Sequence, residues 1–275
     1  MNFELSEEQR MIQQSVERFV EDNYDLNSRV ALSSKSPGFS TENWHSMAEL
    51  GWLGLPFEEE DGGFGGNQID VLVVMEQFGR GLVLEPYLAS IVMGGGALKR
   101  GGTDALKSEI LPQVIEGTLQ LAFAYAEEQS RFDLDDVMTS ARKEGENFVL
   151  NGQKSMVQNA ETADKIVVSA RTSSGQVSPQ GITLFLIDAD AEGLSRDNFP
   201  TVDGLRASEI TFENVSVGPD RILGEVDQGF SILQSVANDA MLALSAEAVG
   251  AMEVLYKDTV DYTQQREQFD HPLSE

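Results

Sequence analysis

The chain has 275 residues, with 46 Asp and Glu against 19 Lys and Arg, a net charge of −27. Such a field repels nucleic acid and anionic lipid, which are bound through basic patches, so neither is expected as a partner. With no Cys and only His45 and His271, disulfides, thiolate ligands and Cys nucleophiles are excluded, and a His-based metal site or Ser-His-Asp triad has too few members.

The acidic start, Met1-Asn-Phe-Glu-Leu-Ser-Glu-Glu, has neither the basic stretch nor the apolar run of a signal or transit peptide. No apolar run is long enough to span a bilayer. A cytoplasmic location without membrane insertion is therefore expected.

Residues 1–118 read as helical. Ser6 is placed to cap a first helix with acidic residues in its first turn. Met11, Ile12, Val16, Phe19 and Val20 then recur at helical spacing. A second helix is expected over about 41–50 and a third over about 69–78. Between them, Pro56 to Gly66 is Gly-rich but lacks the Gly-x-Gly-x-x-Gly register and carries acidic neighbours, so it reads as a structural turn, not a phosphate cradle. Gly94-Gly95-Gly96 reads as a helix junction.

From about Leu119 the period shortens. Leu121–Ala126, Phe148–Leu150, Ile166–Ala170, Ile182–Ile187 and Ile210–Phe212 read as short strands of a barrel or sandwich over 119–228. Asn151-Gly152 reads as a turn inside the first run of a hairpin, and Asp203–Ser208 as a second corner. After Gly229-Phe230 a broad apolar face returns at helical spacing, from Leu233 to Tyr262. Its length suggests a bundle or an oligomer interface, and 229–275 is read as the start of a C-terminal helical bundle. The fold class is α+β and multidomain.

Several motifs in this order resemble the acyl-CoA dehydrogenases. They are Leu50-Gly-Trp-Leu-Gly-Leu followed by Glu60-Asp-Gly-Gly-Phe-Gly-Gly, Leu111-Pro-Gln-Val-Ile-Glu-Gly-Thr, Asn151-Gly-Gln-Lys, Gly229-Phe, and Tyr262-Thr-Gln-Gln-Arg-Glu-Gln-Phe269. Ser130-Arg-Phe-Asp looks like the small-subunit branch of the pimeloyl-CoA and steroid side-chain dehydrogenases, which often work as heteromers. The resemblance implies FAD and the α,β-dehydrogenation of an acyl-CoA thioester to a 2-enoyl-CoA, in fatty-acid, lipid or steroid catabolism. It also implies a homo- or hetero-oligomer such as a dimer of dimers, with an electron-transferring flavoprotein as acceptor.

Carried over by position, the flavin-facing residues would be Phe123, Tyr125, Ala126, Phe132, Met156 and Gln158. Ala126 lacks the family's hydroxyl, Phe132 replaces a Ser, and Met156 and Gln158 stand where an aromatic residue and a Thr or Ser are usual. Arg266 and Phe269 would reach the FAD of a neighbouring subunit. The family's CoA-contacting Asp and Arg become Asn238 and Met241, which removes the charge-assisted contacts.

The family's usual catalytic base would lie beyond Glu275, and its alternative position corresponds to Ala240. The neighbouring Asp239 is turned away by about 100° on a helix. The chain is accordingly expected to be C-terminally truncated and inactive alone. A non-catalytic supporting subunit of a heteromeric dehydrogenase is the rival reading, and an acyl-CoA oxidase a weaker third.

Overall fold

The computed structural model describes residues 4–274. It has an N-terminal helical region, a central sheet and a C-terminal helix, and divides into two compact units. One comprises Met1–Leu26, Gln68–Val83 and Met241–Glu275, the other Asn27–Asn67 and Leu84–Ala240.

In the first unit, α1 (Glu7–Asn23) opens with a reciprocal cap. The Ser6 hydroxyl accepts from the Gln9 amide, and the Gln9 side chain accepts from the Ser6 amide, satisfying two donors that a helix start leaves unpaired. Gln9 Nε2 also donates to Asp70 Oδ1 at 2.9 Å. That buried bond ties α1 to the apolar helix α4 (Gln68–Gly81), with Val16 and Val20 filling the interior. The C-terminal helix α7 (Phe230–Gln265) contributes its part from Met241 onward. Gly79 and Gly250 let α4 and α7 meet backbone to backbone: a Cβ on Gly79 would lie 1.9 Å from Glu247 O, and one on Gly250 1.8 Å from Glu76 O.

The second unit holds the short helices α2 (Leu26–Ser33, whose first residue falls in the other unit), α3 (Thr41–Glu49), α5 (Gly96–Gly101) and α6 (Asp104–Ile115). A π-helical stretch, Tyr87–Gly95, leads into α5, so the glycine triplet does mark a junction. Trp44 Nε1 donates to Gly117 O and Tyr87 Oη to Trp52 O, each at 3.1 Å, which pins the helices to the loops between them. The amides of Gly63, Phe64, Gly65 and Gly66 are all consumed by the carbonyls of Glu58, Gly54, Phe57 and Leu55. The Gly-rich loop therefore has none of these four donors left for a phosphate.

The sheet comprises β1 (Leu121–Ala124), β2 (Ser140–Glu144), β3 (Asn147–Gln158), β4 (Lys165–Arg171), β5 (Ile182–Asp188), β6 (Leu194–Pro200), β7 (Arg206–Val217) and β8 (Ile222–Leu223). Their order is β6-β7-β3-β2-β4-β5-β8, and β1 runs parallel to β4. The path is open, so within "barrel or sandwich" the closed form is not what forms. The β-branched run Ile166-Val167-Val168 and residues Ile182–Ile187 of β5, apolar but for Thr183, are buried on both faces, as suits central strands. Phe148 and Phe185 pack at the centre with ring centroids 5.3 Å apart. A two-stranded hairpin, β9 (Glu267–Gln268) with β10 (His271–Pro272), follows α7 in the first unit.

One expectation is overturned. Asn151-Gly152 is not a turn: it lies inside the continuous β3, at a register shift against β7 between Leu150 and Gly152. The Asn151 side chain exchanges two hydrogen bonds with Asn214, accepting from its amide at 2.9 Å. Gly152, at φ +147°, lets Thr139 approach to where a Cβ would meet its Cα at 2.6 Å. The pair is spent on a bulge, and the chain reversal falls at Gly145 instead, between β2 and β3. The second corner does reverse the chain, between β6 and β7.

Candidate flavin site on the edge of the sheet

The end of β3 and the segment leaving β1 form one edge. A second bulge in β3, between Lys154 and Val157, takes Ser155 and Met156 out of register with β7. The Ser155 amide crosses to Ala126 O at 2.9 Å, and Asn159 Nδ2 donates to Leu121 O at 3.1 Å. Met156 is thereby held at φ +53° with its side chain 55% exposed. Non-glycine residues rarely adopt that conformation, and such backbone strain clusters at functional sites.

Phe123, Tyr125, Ala126, Met156 and Gln158 therefore lie on two neighbouring strips of chain. The Phe123 and Tyr125 rings are tilted against each other, 5.7 Å between centroids. Phe123 is buried, while Tyr125, Ala126 and Gln158 are half-buried. Burial raises the Tyr125 hydroxyl above its ordinary pKa, so it stays a neutral phenol at pH 7. Phe132 stands apart, 97% exposed on the loop after Ser130.

Beneath this edge lies an ion pair that the sequence reading missed. Lys154 Nζ, fully buried, donates to Glu127 Oε1 at 2.7 Å, Ser169 Oγ at 3.0 Å and Tyr125 O at 3.2 Å. All three ammonium protons are used. Glu127 also accepts from the Thr139 amide at 3.0 Å, the Met138 amide at 2.7 Å and Gln129 Nε2 at 2.8 Å. Burial pushes the Glu127 carboxyl upward, but the charge and hydrogen bond of Lys154, with the bonds from Gln129 and Met138, outweigh it and hold the group below its ordinary range. Burial pushes the Lys154 ammonium down to about 8, against the attraction of Glu127. A signal was present in the sequence: Lys154 shares the parity of Phe148 and Leu150 along β3, so a cation was aimed at the core and needed a carboxylate.

Arg171, at the end of β4, organises the loop beside this network. Its guanidinium donates to the carbonyls of Asp135, Gln176 and Gln180 at 2.6–2.8 Å, of Ser178 at 3.0 Å and of Val137 at 3.5 Å.

The candidate base position is apolar. Ala240 is buried, and Asp239 is engaged with Arg100 in an ion pair. Asn238 is exposed, and Met241 is 59% exposed. In the first unit, Arg266 and Phe269 are both exposed, Phe269 in the turn of the terminal hairpin at φ +55°.

Residues 6–118 match the model for the acyl-CoA dehydrogenase N-terminal domain, and residues 122–215 that for its middle domain. The chain belongs to the acyl-CoA dehydrogenase family. It is 29% identical to a probable acyl-CoA dehydrogenase of Bacillus subtilis over 279 aligned residues, covering 100% of this chain and 73% of that protein. Among solved structures, glutaryl-coenzyme A dehydrogenase in complex with glutaryl-CoA superposes with a TM-score of 0.91 at 25% identity, over 100% of this chain and 71% of that one. An FAD complex of PigA does so at 0.90 and 26%, over 100% and 73%. The chain spans 73% of the length of that Bacillus subtilis relative and 62% of that of a long-chain specific acyl-CoA dehydrogenase of Sus scrofa, to which it is 29% identical. Among the described residues no helix is long and apolar enough to cross a membrane.

The residues present on the edge fit a flavin. A planar heteroaromatic ring needs an apolar face and amide-type partners at its rim. Met156 and Tyr125 offer the first, and the Gln158 amide, which both donates and accepts, offers the second.

Proposed function

We propose that this chain is an FAD-binding acyl-CoA dehydrogenase subunit that takes part in converting an acyl-CoA thioester to its 2-enoyl counterpart. The observation that carries the reading is the β1–β3 edge, where Met156 is lifted out of the strand beside Tyr125 and Ala126 in a chain of this family. Bound FAD would supply a hydride acceptor for the β-carbon. The chain's own residues would hold the ring: Phe123, Tyr125 and Met156 through apolar contact, Ala126 through its main chain, Gln158 by hydrogen bonding. Exposed Arg266 and Phe269 would serve the FAD of a neighbouring subunit, which requires an oligomer, either of identical chains or mixed. Phe132, fully exposed, would contact flavin or partner only after that assembly forms. Asn238 and Met241 would mark the thioester side with neutral rather than charged contacts, and an electron-transferring flavoprotein would collect the electrons. The helical, sheet and C-terminal regions 1–118, 119–228 and 229–275 would then be the functional divisions of the chain.

A second reading, that of a supporting subunit whose partner supplies the base, is favoured by one observation. Position 240 is a buried alanine and the adjacent Asp239 is neutralised by Arg100. Purification without added flavin, followed by a visible spectrum, separates the two. Stoichiometric FAD bound to this chain supports the first. A folded protein that stays colourless in excess FAD overturns it in favour of the second.

A further inference from the structure

We infer that Lys154 and Glu127 are positioning residues for the flavin, holding together the two strips of chain that form its binding edge. The inference rests on the flavin-binding reading above.

The contacts of the pair converge on that edge. Lys154 Nζ reaches Tyr125 O and Glu127 Oε1, the residues on either side of Ala126. The next residue, Ser155, donates its amide to Ala126 O. Three consecutive residues of one strip, 125 to 127, are thus bonded to two consecutive residues of the other, with Met156 immediately beyond. The remaining lone pairs of Glu127 fix the Met138 and Thr139 amides, and Thr139 Oγ1 returns to Gln153 O at 3.1 Å. The ring of contacts starts and ends on β3. Ser169, the third partner of Lys154, sits on β4, to which β1 is paired through Ala124 and Val168.

Packing alone does not call for this arrangement. A buried ion pair is commonly replaceable by apolar residues of similar shape without loss of stability, because desolvation offsets the attraction. An apolar pair would fill the same space yet leave the carbonyl of Tyr125 and the amides of Met138 and Thr139 with no common anchor. What the charges add is direction: they set where the 125–127 main chain lies relative to Met156 and Gln158. A flavin ring tolerates little displacement of its contacts, since oriented groups act only within a fraction of an ångström of their working position.

The test compares the wild-type chain with E127Q/K154M, which keeps both side-chain volumes and removes both charges, and with E127Q alone, which keeps an amide acceptor for Lys154 but removes its counter-charge. Three readouts are taken: hydrogen exchange of the amides at 138, 139 and 155, FAD affinity by titration, and the absorption maximum and midpoint potential of the bound flavin. Expected are faster exchange at those amides, FAD binding weakened at least about 10-fold, and a shifted flavin band and potential, in variants whose circular dichroism matches wild type. Folded variants that bind FAD within twofold of wild type, with an unaltered band and potential, overturn the inference while leaving flavin binding intact. A wild-type chain that takes up no FAD overturns both readings.

Discussion

Gly79 on α4 faces Glu247 on α7 so closely that the smallest side chain would collide with a main-chain carbonyl. Gly250 meets Glu76 in the same way one turn along. Alanine is intrinsically better in a helix than glycine by about 1 kcal/mol, so propensity alone predicts that Gly79→Ala and Gly250→Ala stabilise. The crossing predicts the reverse. Each variant is expected to lose about 1–3 kcal/mol, the usual penalty of overpacking, measured by urea denaturation. A gain in stability would show that the helices do not meet at this range.

Removing only the cation of the buried pair leaves an uncompensated carboxylate. Lys154→Met is expected to destabilise by roughly 3–5 kcal/mol at neutral pH. The pH dependence should also change sign. In the wild type, the folded pKa of Glu127 lies below its ordinary 4.5, so its stabilisation is present above that value and lost as pH falls through the folded one. Without Lys154, burial, the largest influence on the group, is opposed by the hydrogen bonds from Gln129 and Met138 but no longer by that ammonium, and it raises the carboxyl. The variant is then most stable in acid and loses stability as pH rises through the elevated value. Melting temperatures of both proteins from pH 4 to 8 give the two slopes, and parallel curves would contradict the pairing.

Lys154 itself makes an alkaline prediction. Its folded pKa, about 8, lies below its ordinary 10.5. Between those values the unfolded chain holds the extra proton, so the contribution of this group to stability rises with pH across that window. The wild type should therefore lose less stability between pH 8 and 10 than Lys154→Met does, as read by denaturant midpoints in the same buffers.

Asp239 is occupied by Arg100. Asp239→Asn is expected to cost less than about 1 kcal/mol, as partly exposed pairs do, read by urea denaturation. A loss of several kcal/mol would show that the pair with Arg100 is a structural anchor of α7 and not a surface contact.

Met156 is held by the backbone but little buried. Met156→Ala should leave the melting temperature within about 2 °C, as surface changes usually do, while weakening FAD binding several-fold in a direct titration. Equal affinity would remove Met156 from the site.

Much of the fold was legible because its signals are local. Ser6 and the apolar spacing after it announced α1, the β-branched run at 166–168 announced β4, and six motifs in order announced the family. What escaped depended on contacts distant in sequence. Asn151-Gly152 carries the local chemistry of a hairpin, but Asn214 and Thr139, 63 and 13 residues away, turn it into a bulge. Lys154 could be seen to need a carboxylate, but nothing near it said which. The candidate flavin residues came from family position, and geometry added the reason Met156 faces outward: a register shift that no periodicity reports.

The five carbonyls gathered by Arg171 separate a loop's path from its composition. Arg171 holds Asp135, Gln176, Ser178 and Gln180 through their main-chain carbonyls, so none of these hydrogen bonds depends on which side chains those residues carry. In the surface segment 173–180 the side chains of Ser173, Gln176 and Ser178 make bonds of their own, so substitution is freest at the exposed Gly175, Val177 and Pro179, provided the arginine stays. Lysine, with three donors for five acceptors, would not do, and the segment's evolvability hangs on a residue outside it.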